Sequence, residues 1–250
     1  MKVFLAGPCS HRKPLDRLAA RGVYIPYVLE SFFSVQQWEM EYIKNSKMFL
    51  LDSGAFSFMT RSNLRVDFDE YLKKYIHFIN KYNVKYFFEL DIDSVVGLKK
   101  VEEYREVLER ETGKKCIPVW HKSRGKQYFL DMVKEYDYVA IGGIASGEIK
   151  RREYKYFPWF IEQAHKHNCK IHGLGFTSTR LLKKYKFDSV DSTSWVYGHK
   201  LGKIMRFNAN AGQIETVINS EGNKRLKSGL LANEHNLKEW LKYVRYMDGR

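Results

Sequence analysis

Apolar residues along this chain follow two rhythms that alternate from one end to the other. Short, nearly continuous apolar runs fall at Val3–Gly7, Lys47–Asp52, Lys85–Asp91, Lys115–His121, Tyr138–Gly143, Lys170–Gly175 and Asp188–Asp191, and read as buried strands. Between most of them the apolar positions recur every three or four residues. Phe68, Tyr71, Leu72, Tyr75, Ile76 and Ile79 make one such face, with Asp67 and Glu70 placed to cap its start. The same spacing predicts helices over Leu98–Glu111, Lys126–Glu135, Tyr154–Asn168, Thr177–Tyr185 and Asn233–Met247. Repeated strand–helix units imply a parallel sheet with right-handed crossovers.

A closed barrel and an open doubly wound sheet both satisfy this alternation, and the strand ends separate them. Parallel α/β folds collect their chemistry at the carboxyl ends of the strands. Five runs here finish in polar or glycine residues: Asp52-Ser53-Gly54, Glu89-Leu90-Asp91-Ile92-Asp93, Trp120-His121, Gly142-Gly143 and Asp191-Ser192-Thr193. An open sheet needs such ends only beside its switch point, whereas these extend along nearly the whole chain. The expected fold class is therefore α/β, a TIM-type (β/α)8 barrel. Its eighth strand has two candidates, Val23–Val28 and Ile204–Phe207. A single domain is expected, with residues 1–207 forming the barrel and 208–250 a loop and helix packed on it.

Composition limits the class further. The 250 residues, 44% hydrophobic and 15% aromatic, suffice for one large core. No apolar run reaches membrane-spanning length and Met1–Gly7 reads as a first strand, so a soluble, cytoplasmic protein without a membrane partner is expected. Cys9, Cys116 and Cys169 are odd in number and far apart, which predicts neither a disulfide framework nor a structural zinc site, and no cofactor is expected. Charge adds a partner. The formal net charge of +14, from 43 Lys and Arg against 29 Asp and Glu, favours a polyanion without separating DNA from RNA, although a lysine-rich solvated surface gives the same excess.

Asp52, Asp91, Asp93 and Asp191 lie at or just after strand ends, where a barrel would converge them on one mouth. Singly, each reads as a turn or helix-cap residue. Together they are suited to holding a divalent ion through oxygen, or to acting as nucleophile and acid–base pair at a glycosidic carbon. No compact Asp/Glu/His triad is evident along the chain, which favours the second. Within Phe187–Ser192, Asp188 opens the run and Asp191 closes it, so Asp191 is the one expected at the carboxyl end of the strand.

Several of these segments resemble, in the same order, those of the queuine/archaeosine tRNA-guanine transglycosylases. Ile141-Gly142-Gly143-Ile144-Ala145-Ser146-Gly147-Glu148 looks like that family's Gly-Gly-Leu-Ala-x-Gly-Glu segment, and Leu51-Asp52-Ser53-Gly54-Ala55-Phe56-Ser57 is similar to its Asp-Ser-Gly-Gly-Phe-Gln motif. Leu90-Asp91-Ile92 resembles the base-reading Asp segment, Gly173-Leu174-Gly175 the Gly-x-Gly before the last strand, and Phe187–Ser192 the segment with the nucleophilic Asp. The similarity runs from Lys47 to Ser194.

The resemblance implies a TIM-type barrel and base exchange. Asp191 would attack C1′ of a guanosine and Asp52 would shuttle the proton of the departing and incoming bases. Asp91 and His121 would contact the base edge, and the bare backbone of Gly142 and Gly143 would admit the flat heterocycle, with Ile144, Glu148 and Gly173 beside it. The family's Cys-x-Cys-x-x-Cys…His zinc site has no counterpart, because no cysteine follows Cys169, and Ser192-Thr193-Ser194-Trp195 replaces the usual Pro-Thr-Arg. That pattern is most like the compact phage enzymes that insert 7-deazaguanines into DNA. The expected function is a DNA-guanine transglycosylase taking a preQ0-like 7-deazaguanine base; tRNA-guanine exchange and a non-catalytic nucleic-acid-binding barrel are the alternatives. Arg151, Arg152, Lys200, Lys203 and Arg206 are the expected phosphate contacts, and Trp195, Tyr197 and His199 either stack on the substrate or belong to the core.

Overall fold

The computed structural model describes residues 1–9, 12–54, 66–196, 202–217 and 229–249. Seven strands form one parallel sheet: β1 Lys2–Ala6, β2 Tyr27–Ser31, β3 Met48–Asp52, β4 Val119–Trp120, β5 Tyr138–Ile141, β6 Lys170–Gly173 and β7 Ser189–Ser192. They lie in the order β3-β2-β1-β7-β6-β5-β4, so β3 and β4 are its edges. Between those edges runs the stretch 86–89. Leu51 N–H donates to Tyr86 O (3.0 Å) and Phe88 N–H to Leu51 O (3.0 Å), while Ile117 N–H donates to Phe87 O (2.8 Å) and Glu89 N–H to Ile117 O (3.1 Å). A curled parallel sheet of TIM type results, with staves in sequence order around it.

Strand alternation sorts the side chains. Phe4, Phe88, Tyr138 and His172 point inward, with the His172 ring 6.0, 5.5 and 6.5 Å from Phe4, Phe88 and Tyr138. Outward-facing side chains meet the helices. Trp120 packs on Phe160 and Phe129, and Phe187 on Phe157 and Phe176. The helix Phe68–Lys81 starts as expected, with Glu70 N–H donating to Asp67 Oδ1 at 3.0 Å. Its buried Tyr75 hydroxyl reaches Phe88 O (2.9 Å) and Leu51 O (3.2 Å), pinning the seam where β3 meets 86–89.

The two candidates for an eighth strand part company here. Val23–Val28 is displaced along the chain to β2, a full member of the sheet. Ile204–Phe207 is instead part of β8 (Ile204–Asn208), paired antiparallel with β9 (Gln213–Val217) in a separate hairpin. The reason is topological: the free edge of β7 is already taken by β1, from Lys2↔Ser189 to Leu5↔Ser192. The expected boundary at 207 falls inside this hairpin. The C-terminal helix Gly229–Asp248 supplies side chains to its edge, with Asn236 Oδ1 accepting from Met205 N–H (2.8 Å) and Glu239 Oε2 from Phe207 N–H (2.8 Å). The same helix reaches back to the first helix, Arg12–Ala19, through Arg17–Glu234 at 2.7 Å. Among the described residues no helix is long and apolar enough to cross a membrane.

Candidate active site

The carboxyl ends of the staves carry two groups of carboxylates, each built differently. Past the end of the 86–89 stave, Asp91 receives the His121 ring, whose Nε2 lies 2.7 and 2.9 Å from its two oxygens. The other ring nitrogen, Nδ1, is 2.9 Å from Glu148 Oε2, and Lys122 N–H holds Glu148 Oε1 at 3.0 Å. Burial disfavours charge on His121, but the bond and charge of Asp91, with help from Glu148 and Asp93, win and push its pKa up to about 9. An imidazolium therefore sits between two carboxylates at neutral pH.

Beneath it lies a buried ion network. Glu89, fully buried, accepts from Arg124 Nη1 (2.7 Å), Arg105 Nη1 (3.1 Å) and the Val119 amide (2.8 Å). Arg124 also donates through Nε to Asp93 (3.1 Å), and its Nη2, 3.8 Å from Asp91, has no hydrogen-bond partner. Asp91, Asp93 and His121 thus form the compact triad that was not evident along the chain, and their donor atoms are close enough for a metal ion. A cation there would have to compete with Arg124 and with the proton on His121.

The double glycine is explained by this group. A Cβ on Gly142 would stand 2.7 Å from His121 Cε1 and Nε2, and one on Gly143, at φ +77°, 2.7 Å from Glu148 Oε2. The His121–Glu148 pair fills the space that a side chain at either glycine would need. Ile144 is buried in the main core. Gly173 is packed differently. Its Cβ position faces Phe176, Val190 and Phe187 on the helix side of the sheet, because alternation turns its neighbour His172 inward.

The second group has no lysine or arginine partner among the described residues. Asp191, at the end of β7, is buried, and its Oδ1 accepts from the Gly175 amide (2.5 Å) and lies 3.2 Å from His172 Nε2. Among the described residues its Oδ2 accepts no bond. His172 Nδ1 is 2.7 Å from Ser189 Oγ, which in turn bonds the Tyr138 hydroxyl. The chain is satisfied end to end when His172 carries its proton on Nε2: Tyr138 donates to Ser189, Ser189 to His172 and His172 to Asp191. Asp188 lies at the opposite end of β7, tied to the Ile171 amide (2.8 Å) and His165 (2.9 Å). The mouth receives Asp191, as expected from its place in the run.

Asp52 closes β3 and accepts from Gly54 N–H at 3.0 Å. Burial raises its pKa from 3.8 to about 6; the Gly54 bond opposes this, and the negative charges of Asp191 and then Asp91 add to it. So three carboxylates from separate staves share one electrostatic neighbourhood, and one of them titrates closer to neutrality than an ordinary aspartate.

Of the expected phosphate contacts, Arg151 and Arg152 are exposed on the turn after Glu148, and Lys203 and Arg206 are exposed on or beside β8, Arg206 lying 3.8 Å from Glu215. Lys200, Tyr197 and His199 lie outside the described residues. Trp195 is core, its Nε1–H donating to Ala6 O at 3.0 Å. Sequence reasoning missed His172, Gly175, Glu89, Arg105 and Arg124. Two signals pointed toward them: a histidine inside an apolar strand run, and the second glycine of Gly173-Leu174-Gly175.

No protein-family model matches the chain, and no curated protein does. Among solved structures, one described as "QR15, an Aldolase" has a similar fold, with a TM-score of 0.50 and 12% sequence identity over 78% of this chain and 90% of that one. A likeness at this identity shows a shared fold, in agreement with the curled parallel sheet.

Proposed function

We propose that the chain is a (β/α)8-barrel enzyme, closed through residues 86–89, that exchanges guanine in DNA for a 7-deazaguanine base by way of a covalent Asp191 intermediate. The observation that carries this reading is the pairing at the mouth of Asp52, whose pKa is raised to about 6, with an Asp191 carboxylate anchored through one oxygen. Two carboxylates of unlike character on separate staves suit displacement at an anomeric carbon, where one attacks and the other moves a proton.

In this mechanism Asp191 Oδ2 attacks C1′ of a guanine nucleotide as the glycosidic bond breaks. Asp52 gives its proton to the departing guanine. The incoming base then attacks C1′, the Asp191 ester bond breaks, and Asp52 takes up the proton that the base releases, which restores both carboxyl groups with net retention. The Gly175 amide and His172 fix Asp191 Oδ1, so the unbonded oxygen is the one that reacts. Asp91, oriented by the His121 imidazolium, accepts hydrogen bonds from the amide and amine edge of guanine. The net charge of +14 and the exposed Arg151, Arg152 and Lys203 supply phosphate contacts, and a duplex target must present its guanine flipped from the stack.

The test is incorporation of labelled guanine into double-stranded DNA, single-stranded DNA and tRNA by the wild type and by Asp191→Ala. Label entering DNA alone, and only with Asp191 present, is expected. Label entering tRNA alone would move the proposal to RNA exchange. No label on any polymer, with nucleic-acid binding retained by both proteins, would favour the non-catalytic barrel.

A further inference from the structure

On the helix side of β1 and β2, away from the mouth, three buried acidic groups face one another without a counter-ion. Cys9 follows β1, Glu30 lies near the end of β2 on the face opposite Ser31, and Glu39 belongs to the short turn Gln37–Glu39. Their exposures are 1%, 1% and 2%. One donor atom from each lies within 4.8 Å of the others. The Cys9 amide donates to Glu30 Oε1 at 2.7 Å, but Glu39 Oε2 is buried with no hydrogen-bond partner. Among the described residues neither glutamate has a Lys, Arg or His partner. The contrast with Asp91 and Asp93 is direct, since there Arg124 and His121 supply positive charge.

An unpartnered carboxylate oxygen in an apolar interior costs several kcal/mol on general grounds, and such groups persist when they are paired or coordinate a metal. Here three buried acidic side chains converge on one another, and one carboxylate oxygen among them has no partner. A divalent cation would meet both needs at once.

We propose that Cys9, Glu30 and Glu39 form a divalent-metal site of the zinc class, in which the Cys9 thiolate and one oxygen of each glutamate are the protein ligands. One sulfur with two oxygens suits a borderline-soft ion that accepts four ligands, whereas magnesium and calcium ask for six or more oxygens. On binding, the thiol and any carboxylic acid of the site release their protons to solvent, and a water completes the coordination. The ion ties the ends of β1 and β2 to the Gln37–Glu39 turn. Because Glu30 precedes Ser31, which is in register with Asp52, this clip braces the mouth from behind.

The experiment is titration of the chelator-treated full chain with ZnCl2 and, separately, with CoCl2. About one zinc per chain, a zinc-dependent rise in Tm, and a near-ultraviolet thiolate-to-cobalt band are expected. The band must vanish in Cys9→Ser and persist in Cys116→Ser; the sulfur-free Asp91, Asp93 and His121 group cannot produce it. Glu39→Gln keeps the shape of the site and removes one acid, so it folds without metal, and its zinc affinity should fall at least about tenfold. A folded wild type that gives no thiolate–cobalt band, or a Glu39→Gln variant with the full zinc-dependent rise in Tm, would overturn the proposal.

Discussion

Asp91 and Asp52 end neighbouring staves, yet they sit in opposite electrostatic surroundings. Asp91 touches the His121 imidazolium at 2.7 Å, lies 3.8 Å from Arg124, and stands above Glu89 with its two arginines. Asp52 has the Gly54 amide and the Ser31 hydroxyl beside it, and its charged neighbours are carboxylates. The first arrangement holds the side chain in one orientation, as recognition of a fixed hydrogen-bonding edge requires. The second leaves a proton that can come and go, as acid–base work requires. The difference between these two strand ends lies in the arginine and histidine beside Asp91.

The sharpest break of this contrast is Asp191→Ala, which should lower base exchange by more than about 10³-fold, while Asp188→Ala, at the far end of the same strand, retains it. Retained exchange in Asp191→Ala, measured with labelled guanine, would remove Asp191 from the reaction. On the locked side, Arg124→Met should cost about 3–5 kcal/mol in urea unfolding, because Glu89 and Asp93 lose a partner inside the protein. A loss below about 1 kcal/mol would mean that water already reaches this network.

Titration separates the two sides by pH window. His121 is raised from 6.5 to about 9, so its stabilising contribution is full below 6.5 and is lost as pH rises through 9; the loss is on the order of 2–3 kcal/mol and should be absent in His121→Gln. Asp52 is raised from 3.8 to about 6, so its contribution is full below 3.8 and is lost as pH rises through 6, by roughly 2 kcal/mol. Asp52→Asn should remove that lower window from stability curves. It should also remove an inflection near pH 6 from the rate of guanine release. The smallest effect is expected from Gly142→Ala, whose methyl would meet His121 and Val119 at 2.7 and 2.8 Å: about 1–2 kcal/mol of overpacking, read by thermal unfolding.

Much of the architecture was legible in the apolar pattern. The runs at Val3–Gly7, Lys47–Asp52, Tyr138–Gly143, Lys170–Gly175 and Asp188–Asp191 all contain sheet strands, and the Asp67 cap starts its helix where expected. The run at Lys85–Asp91 became a stave held by single bridges to Leu51 and Ile117, and only its hydrogen bonds reveal its place. Ile204–Phe207 was misleading, because a β-branched and aromatic stretch reads alike in a parallel sheet and in an antiparallel hairpin. The role of Gly142 and Gly143 was also hidden. A glycine announces that something comes close, and whether that is a ligand or the chain's own His121 and Glu148 depends on the facing stave.

By itself, then, the amino-acid sequence determined the strand–helix alternation, the polar strand ends and the placing of Asp191, rather than Asp188, at the carboxyl end of its strand. Periodicity, polarity and position within a run are local properties, set by neighbours a few residues away. Only the tertiary structure decided which carboxylate meets which cation. Arg124 and Glu89 are 35 residues apart, His121 and Asp91 30, and Cys9 and Glu30 21, and no local pattern links them. Charge compensation inside a protein is settled by the distance across the fold, and that distance is created when the staves are wound side by side.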